Sequence, residues 1–263
     1  HRHLRNVVVT SIDPARVLLN LLWLRPGQVG GTENYAVRLL GSLADSGRLP
    51  RLVVSPALAA AHGPLVSRFP HEVARPRGGR VGRVVAERLR FAGEREAVVH
   101  HLGGTVAASG GSPVVVTIYD LQVLDHPQFF HPLKRRYLER ALPTAVERAD
   151  RVCVMSEWVA SGLQRHLGVG RDRCVVVPPI VESVVEAKRY PGDQQDRFLL
   201  YPAMTWPHKR HTLLVELMER VADLDLRLVL TGAAGPVHAE VLSAIESSPA
   251  RERITHLGRV DSS

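Results

Sequence analysis

Short apolar runs alternate with amphipathic stretches almost from one end of the chain to the other. Runs at 16–24 (RVLLNLLWL), 51–55 (RLVVS), 97–101 (AVVHH), 113–118 (PVVVTI), 151–155 (RVCVM) and 173–177 (RCVVV) read as buried strands. Between them, apolar residues spaced three or four apart predict helices near 33–46, 57–69, 80–91, 132–148 and 156–167. In 132–148, Leu133, Tyr137, Ala141, Ala145 and Arg148 keep that spacing with Leu138 and Leu142 beside them, so one face is mainly apolar. The alternation predicts α/β architecture: a doubly wound parallel sheet covered by helices, over residues 16–177.

Residues 178–197 interrupt the pattern with prolines, a Pro-Gly turn and a polar cluster, and read as an inter-domain linker. The pattern then restarts: strand 198–203, helix 207–222, strand 225–231, helix 235–247 and strand 253–258. Three strands with two helices make half of a second doubly wound domain over 198–263. The natural chain is therefore expected to continue past Ser263. The abrupt start of the first strand likewise marks residues 1–15 as a disordered or non-native leader.

Composition narrows the partners. With 263 residues, 45% of them hydrophobic, the chain can bury proper cores. No apolar run approaches the roughly 20 residues that span a bilayer, and the first residues lack a signal-peptide pattern, so a cytoplasmic location is expected. Cys153 and Cys174 lie in apolar runs and read as reduced, buried thiols. A net charge of +8 suits nucleic acid, anionic lipid or phosphorylated small molecules. The arginines are scattered without interleaved aromatics or a nucleic-acid-binding signature, which argues against nucleic acid. The basic stretch PLKRRYLER (132–140) reads as an amphipathic helix with a solvated face, or as a peripheral contact with the inner face of an anionic membrane.

Three of the 34 basic residues are lysine, and one, Lys209, stands in WPHKRHTLLVEL at the mouth of a predicted helix. Pro207 suits a first helical turn. A lysine there joins a point charge to the helix dipole, which fits a departing diphosphate, or it is simply a surface lysine. His208 and His211 have no carboxylate in a zinc-protease pattern, so no metal is expected. At the first strand–helix junction, LRPGQVGGTENYAVRLL, Gly27, Gly30 and Gly31 permit close backbone approach to a ligand and Thr32 can cap the helix. Glu33, however, puts a negative charge in the first turn. Tyr119, Asp120, Asp125 and His126 follow strand 113–118, at the carboxyl end where such folds place ligands. Asp120 either holds a sugar hydroxyl or acts as a base, or it forms an Asx turn. Ser156 reads as an N-cap.

Four stretches, VLLNLLWLRPGQVGGTENYAVRLL, VTIYDLQVLDHPQFFHPLKRRYL, RADRVCVMSEWVASGLQRHLGVGRDRCVVVPP and LLYPAMTWPHKRHTLLVEL, together resemble the bacterial retaining group 1 glycosyltransferases, especially mannosyltransferase-like members. The resemblance spans roughly 16–260. It implies a GT-B fold of two Rossmann-type domains, a nucleotide diphosphate sugar donor held mainly by the second and a glycan or lipid-linked acceptor mainly by the first, with no cofactor or metal. It implies that Lys209, with Thr205 and Arg210, binds the donor phosphates, that Gly30 and Gly31 approach them across the cleft, and that Thr32, Ser156 and Glu157 line the cleft. Tyr119 and Asp120 fall in the family's T-I-H-D motif, where this chain has tyrosine for histidine. Ala203 stands where many members carry arginine, and the family's E-x7-E pair would fall beyond Ser263. A non-catalytic binding or scaffold protein of the same fold is the rival reading, and a nucleic-acid-binding α/β protein a third.

Overall fold

The computed structural model describes residues 12–27, 30–75, 78–95, 97–108, 110–179 and 197–260. The chain divides into two compact units, His1–Glu182 and Ser183–Ser263. The expected linker lies almost wholly outside the described residues, as do residues 1–11 of the expected leader. Asp13 accepts a hydrogen bond from the Ala15 N–H (2.9 Å) and caps a 3-10 turn, Pro14–Arg16, that leads into the first strand.

Among the described residues, the first unit holds seven parallel strands: β1 (Val17–Asn20), β2 (Arg51–Val54), β3 (His71–Val73), β4 (Val98–His101), β5 (Val114–Ile118), β6 (Arg151–Val154) and β7 (Cys174–Val176). Their order across the sheet, β3-β2-β1-β4-β5-β6-β7, reverses between β1 and β4. That reversal opens a crevice at the carboxyl ends of these two strands. The helices are α1 (Gly31–Asp45), α2 (Pro56–Ala61), α3 (Gly63–Val66), α4 (Gly79–Phe91), α5 (Gln122–Asp125), α6 (Pro132–Arg148) and α7 (Glu157–Leu167). Leu40 of α1, Leu58 of α2 and Val66 of α3 pack with Leu19, Leu52 and Val54 of the sheet. On the opposite face, Leu142 and Val146 of α6 and Leu163 of α7 pack with Val116, Ile118 and Val152. Successive strand residues thus feed two cores, as burial on both faces of a parallel sheet requires.

Three expectations need correction, and two elements were not foreseen. The run 16–24 is a strand only to Asn20, whose side-chain oxygen accepts the Leu22 N–H (3.1 Å) and turns the chain while Leu21, Leu22 and Leu24 stay buried. Helix 57–69 is two short helices, because Gly63-Pro64 cannot continue the first one. The edge strand β3, all of it exposed, and the single turn α5 carry too short an apolar pattern to be foreseen. Finally, helix 207–222 begins only at His211.

The second unit has β8 (Phe198–Pro202), β9 (Arg227–Thr231) and β10 (Ile254–Gly258) in one parallel sheet of order β10-β9-β8, with α8 (His211–Arg220) and α9 (His238–Ser247). Val215 and Met218 of α8 and Val241 of α9 pack with Leu228, Leu230 and Ile254. Gly232 (φ 136°) follows β9, and a side chain there would strike the Ala203 carbonyl. Gly232→Ala is therefore expected to destabilise this unit by about 2–4 kcal/mol, from backbone strain and overpacking together. Urea unfolding followed by amide exchange of β8–β10 measures it. An unchanged midpoint would show that the loop yields freely.

Candidate functional site

The crevice of the first unit is built by the segments that leave β1, β4 and β5. Trp23, Gly103, Gly104, Thr32, Tyr119 and Asp120 line a hollow of about 230 Å³ whose floor is apolar, with Ile118, Leu138 and Leu142 among its residues. The Trp23 and Tyr119 rings lie 5.9 Å apart, and Tyr35 meets Tyr119 edge-on at 5.5 Å. A side chain at Gly103 would collide with the Trp23 indole, so the glycine is what lets the ring pack there. Trp23 Nε1 and Tyr119 Oη are both buried without a hydrogen-bond partner among the described residues. Leaving such a donor unmet costs about 1–3 kcal/mol. Burial, and then the neighbouring Tyr35, push the Tyr119 phenol above its ordinary pKa. It therefore keeps its proton near neutral pH.

Asp120 is exposed and its Oδ1 accepts the Gln122 N–H (3.1 Å), the Asx turn that was the simpler reading of this residue. It also lines a second hollow, of about 280 Å³, with Gln122, His126 and Trp158. Asp125, foreseen beside it, is held by His166 (2.7 Å). Ser156 caps α7 through the Val159 N–H (3.3 Å), and Glu157 pairs with Arg171 (2.6 Å) at the surface. Thr32, Tyr119 and Asp120 thus meet at one hollow, whereas Ser156 and Glu157 stand at the start of α7, next to Trp158.

The loop before α1 is closed by its own helix. Gly30 (φ 58°) takes the cap position and Gly31 opens the helix, so Thr32 lies inside the first turn and is not the cap that was expected. A left-handed φ at the cap favours glycine there. Glu33 accepts the Gly27 N–H (2.7 Å) and contacts His62 Nε2 (3.1 Å). The charge that stood against a phosphate in the first turn is thus committed to the loop itself.

In the second unit, the segment after β8 runs against the segment after β9. Thr205 is buried, its Oγ1 accepts the Gly235 N–H (2.7 Å), and its carbonyl accepts the Val237 N–H (3.3 Å). The hydroxyl expected to bind donor phosphate therefore ties two loops together. Pro207–Lys209 form a 3-10 turn, and Arg210 (φ 49°, ψ 47°) interrupts it before α8. Among the described residues Arg210 alone, glycines aside, has a positive φ. This conformation costs about 1–3 kcal/mol and is held only where surroundings dictate it. Here Tyr201 Oη donates to the Lys209 carbonyl (3.0 Å) and His211 Nε2 to that of Ala203 (3.2 Å). Both exposed side chains, Lys209 and Arg210, then stand at the N-terminus of α8. Burial, opposed by the Ala203 hydrogen bond and aided by the Lys209 charge, lowers the His211 pKa. A neutral imidazole behind Lys209 adds no competing charge.

Among the described residues no three histidine, cysteine or carboxylate side chains converge in a metal-holding group, and no helix is long and apolar enough to cross a membrane. The sequence reading missed Trp23, Gly103 and Gly104. The HLGG stretch at 101–104, a glycine pair at a strand's carboxyl end, was the available signal.

Residues 29–183 match the profile of Glycosyltransferase Family 4. No curated protein matches the sequence. Among solved structures, a glycosyltransferase from Rickettsia africae ESF-5 is similar with a TM-score of 0.65 at 16% identity, covering 94% of this chain and 68% of that one. Anabaena HepE in complex with UDP and glucose is similar with a TM-score of 0.66 at 16% identity, covering 94% and 70%. The lipopolysaccharide outer core galactosyltransferase WaaB, in its apo form, is similar with a TM-score of 0.60 at 11% identity, covering 94% and 68%. At these identities the likeness is one of fold, and that fold is the α/β GT-B type.

Proposed function

The chain belongs to Glycosyltransferase Family 4, and from that premise we propose that it transfers a hexosyl unit, with retention, from a nucleotide diphosphate sugar to a glycan or lipid-linked acceptor. The family match across the first unit, joined to GT-B likeness over 94% of the chain, carries this reading. Lys209 and Arg210, at the α8 N-terminus, hold the donor diphosphate, so that fixed positive charge meets the negative charge that develops as the glycosidic bond breaks. No metal or other cofactor takes part. In the first unit the acceptor lies in the hollow that Trp23 and Tyr119 line, while Asp120 orients the attacking group. Thr32 closes that hollow from the side of α1. Ser156 and Glu157 act by fixing α7 beside Trp158. The protein works in the cytoplasm, at the inner face of the membrane when its acceptor is lipid-linked.

The donor is GDP-mannose on the sequence resemblance, and UDP-glucose is the competitor that the HepE likeness supports. Release of GDP or UDP, measured with each donor in turn, decides between them. NMR of the product anomer, taken before mutarotation, tests retention. Release from neither donor, nor from other nucleotide diphosphate hexoses, would turn the reading to a GT-B-fold protein that binds without catalysing.

A further inference from the structure

Of the three tryptophans, Trp158 is the one turned outward: it is 71% exposed, against 38% for Trp206, and Trp23 is half-buried. It stands at the second position of α7, whose core-facing residues are Val159, Ala160 and Leu163. Gly162 and Arg165, four and seven residues on, share its side of the helix. The Arg165 guanidinium lies over the indole, 5.2 Å from the ring centroid, and so covers one face and steadies the ring. Gly162 adds no side chain beside it, and one placed there would strike Leu121. What these residues leave open is the hollow of about 280 Å³ that Trp158 shares with Asp120, Gln122 and His126.

The groups around the indole select a class of ligand. Asp120 spends Oδ1 on the Gln122 N–H (3.1 Å), which leaves Oδ2 to accept from hydroxyls. The Gln122 amide can both donate and accept, and the His126 ring carries two further hydrogen-bonding nitrogens. Asp125, on the same rim, is taken by His166 (2.7 Å). Among the described residues no lysine or arginine lines the hollow, so it offers no countercharge to a phosphate or carboxylate. A cationic ligand is equally ill served, because the Arg165 charge already lies against the ring. An indole face beside such a rim suits a neutral polyol, whose C–H groups meet the negative face of the ring while its hydroxyls meet the polar side chains. A hexose in its ring form has that two-sided character.

Asp120 lines both this hollow and the one that Trp23 and Tyr119 line. A chain of sugars that fills one hollow therefore meets the other at that residue. We propose that the Trp158 hollow is a second sugar subsite, holding the hexose next to the one that receives the transferred unit, so that the acceptor is a neutral oligosaccharide of two or more residues. Calling that oligosaccharide the acceptor rests on the function proposed above, whereas sugar binding at Trp158 does not.

The test is fluorine NMR of the whole chain carrying 5-fluorotryptophan, in the absence of any nucleotide donor. Three resonances are expected, and Trp23→Phe, Trp158→Phe and Trp206→Phe assign them. The probes are methyl α-mannoside and α-mannotriose, with methyl α-glucoside and maltotriose beside them. At least one trisaccharide should move the Trp158 resonance saturably while that of Trp206 stays in place. By calorimetry, that trisaccharide should bind about tenfold tighter than its methyl glycoside, and Trp158→Ala should remove the advantage. Trp158→Phe, which keeps a ring, should retain part of it. Far-UV circular dichroism checks that both variants are folded, as expected for a surface position. A Trp158 resonance that neither trisaccharide moves at millimolar concentration would overturn the proposal. So would equal affinity for trisaccharide and methyl glycoside, or wild-type trisaccharide binding by Trp158→Ala. Nucleotide release with an unmoved Trp158 resonance would reject the subsite and leave the catalytic reading intact. A Trp158 shift with no nucleotide release from any donor would keep the sugar site and reject the catalytic reading alone.

Discussion

Lys209→Ala is expected to lower kcat about 10²–10³-fold, the usual loss when one preorganised charge donor is removed from a transition state. The lysine side chain stands in solvent, and the hydrogen bonds at this residue use its backbone, the N–H donating to the Trp206 carbonyl and the carbonyl accepting from Tyr201. The substitution should therefore leave unfolding stability within about 0.5 kcal/mol, as for other surface positions. Loss of turnover can then be assigned to chemistry and not to folding. Initial-rate kinetics over a range of donor concentration make the distinction finer. A fall in kcat points to contact made in the transition state, and a rise in KM alone to uniform binding. Lys209→Arg should recover part of the activity, because it restores the charge at a changed geometry. Wild-type turnover by Lys209→Ala would remove Lys209 from the mechanism and leave Arg210 as the basic residue of the α8 N-terminus to be tested.

A loss of stability of about 4 kcal/mol is expected between pH 7 and pH 5, from two adjacent histidines of β4. Burial lowers the pKa of His100 to about 4, and burial together with the neighbouring His100 lowers that of His101 to about 4. In the unfolded chain both titrate near the ordinary value of 6.5. As pH falls through 6.5 the unfolded state takes up protons that the folded state refuses, so stability is complete above that value. It then drops by about 1.4 kcal/mol per pH unit for each histidine until pH 4 is reached.

The contacts explain the refusal. Asn20 Nδ2 can only donate, so His101 Nδ1 (3.0 Å) must accept and must stay unprotonated. The same amide's oxygen is fixed by the Leu22 N–H, and its nitrogen also serves the buried Glu87 carboxyl group. His100 Nε2 meets Thr117 Oγ1 at 2.8 Å. Urea unfolding at pH 7 and pH 5 measures the effect, and His100→Asn should remove about half of the drop. A stability independent of pH over this range would mean that water reaches both rings.

The strands and longer helices of the first unit could be read from sequence because each is encoded by contiguous residues with their own periodicity. The ends of elements were less legible. Leu21, Leu22 and Leu24 are as apolar as the strand before them, yet they are buried in a turn that Asn20 directs. Pro207 is a good first residue for a helix, but the left-handed Arg210 delays α8 to His211. Arginine is not a residue from which a positive φ is foreseen. The candidate site divides in the same way. Tyr119 and Asp120 follow β5 directly, so their placement at its carboxyl end needed only the strand assignment, whereas Lys209 lies seven residues past β8 in a 3-10 turn. Trp23 joins Tyr119 and Asp120 only because β1, β4 and β5 lie side by side.

By itself, then, the sequence determined the α/β alternation, the restart of the pattern after residue 197 and the carboxyl-end positions of the candidate residues. All of these follow from dihedral preference and apolar spacing over a few neighbouring residues. Tertiary structure alone decided that Thr205 spends its hydroxyl on Gly235, that Glu33 closes its own loop, and that Asn20, Glu87 and His101 share one buried network. It also decided that the stripe of Val81, Val85 and Leu89 on α4 faces outward, although its spacing is that of a core helix. Periodicity reports which side chains share a face, but what covers that face depends on segments distant in the chain.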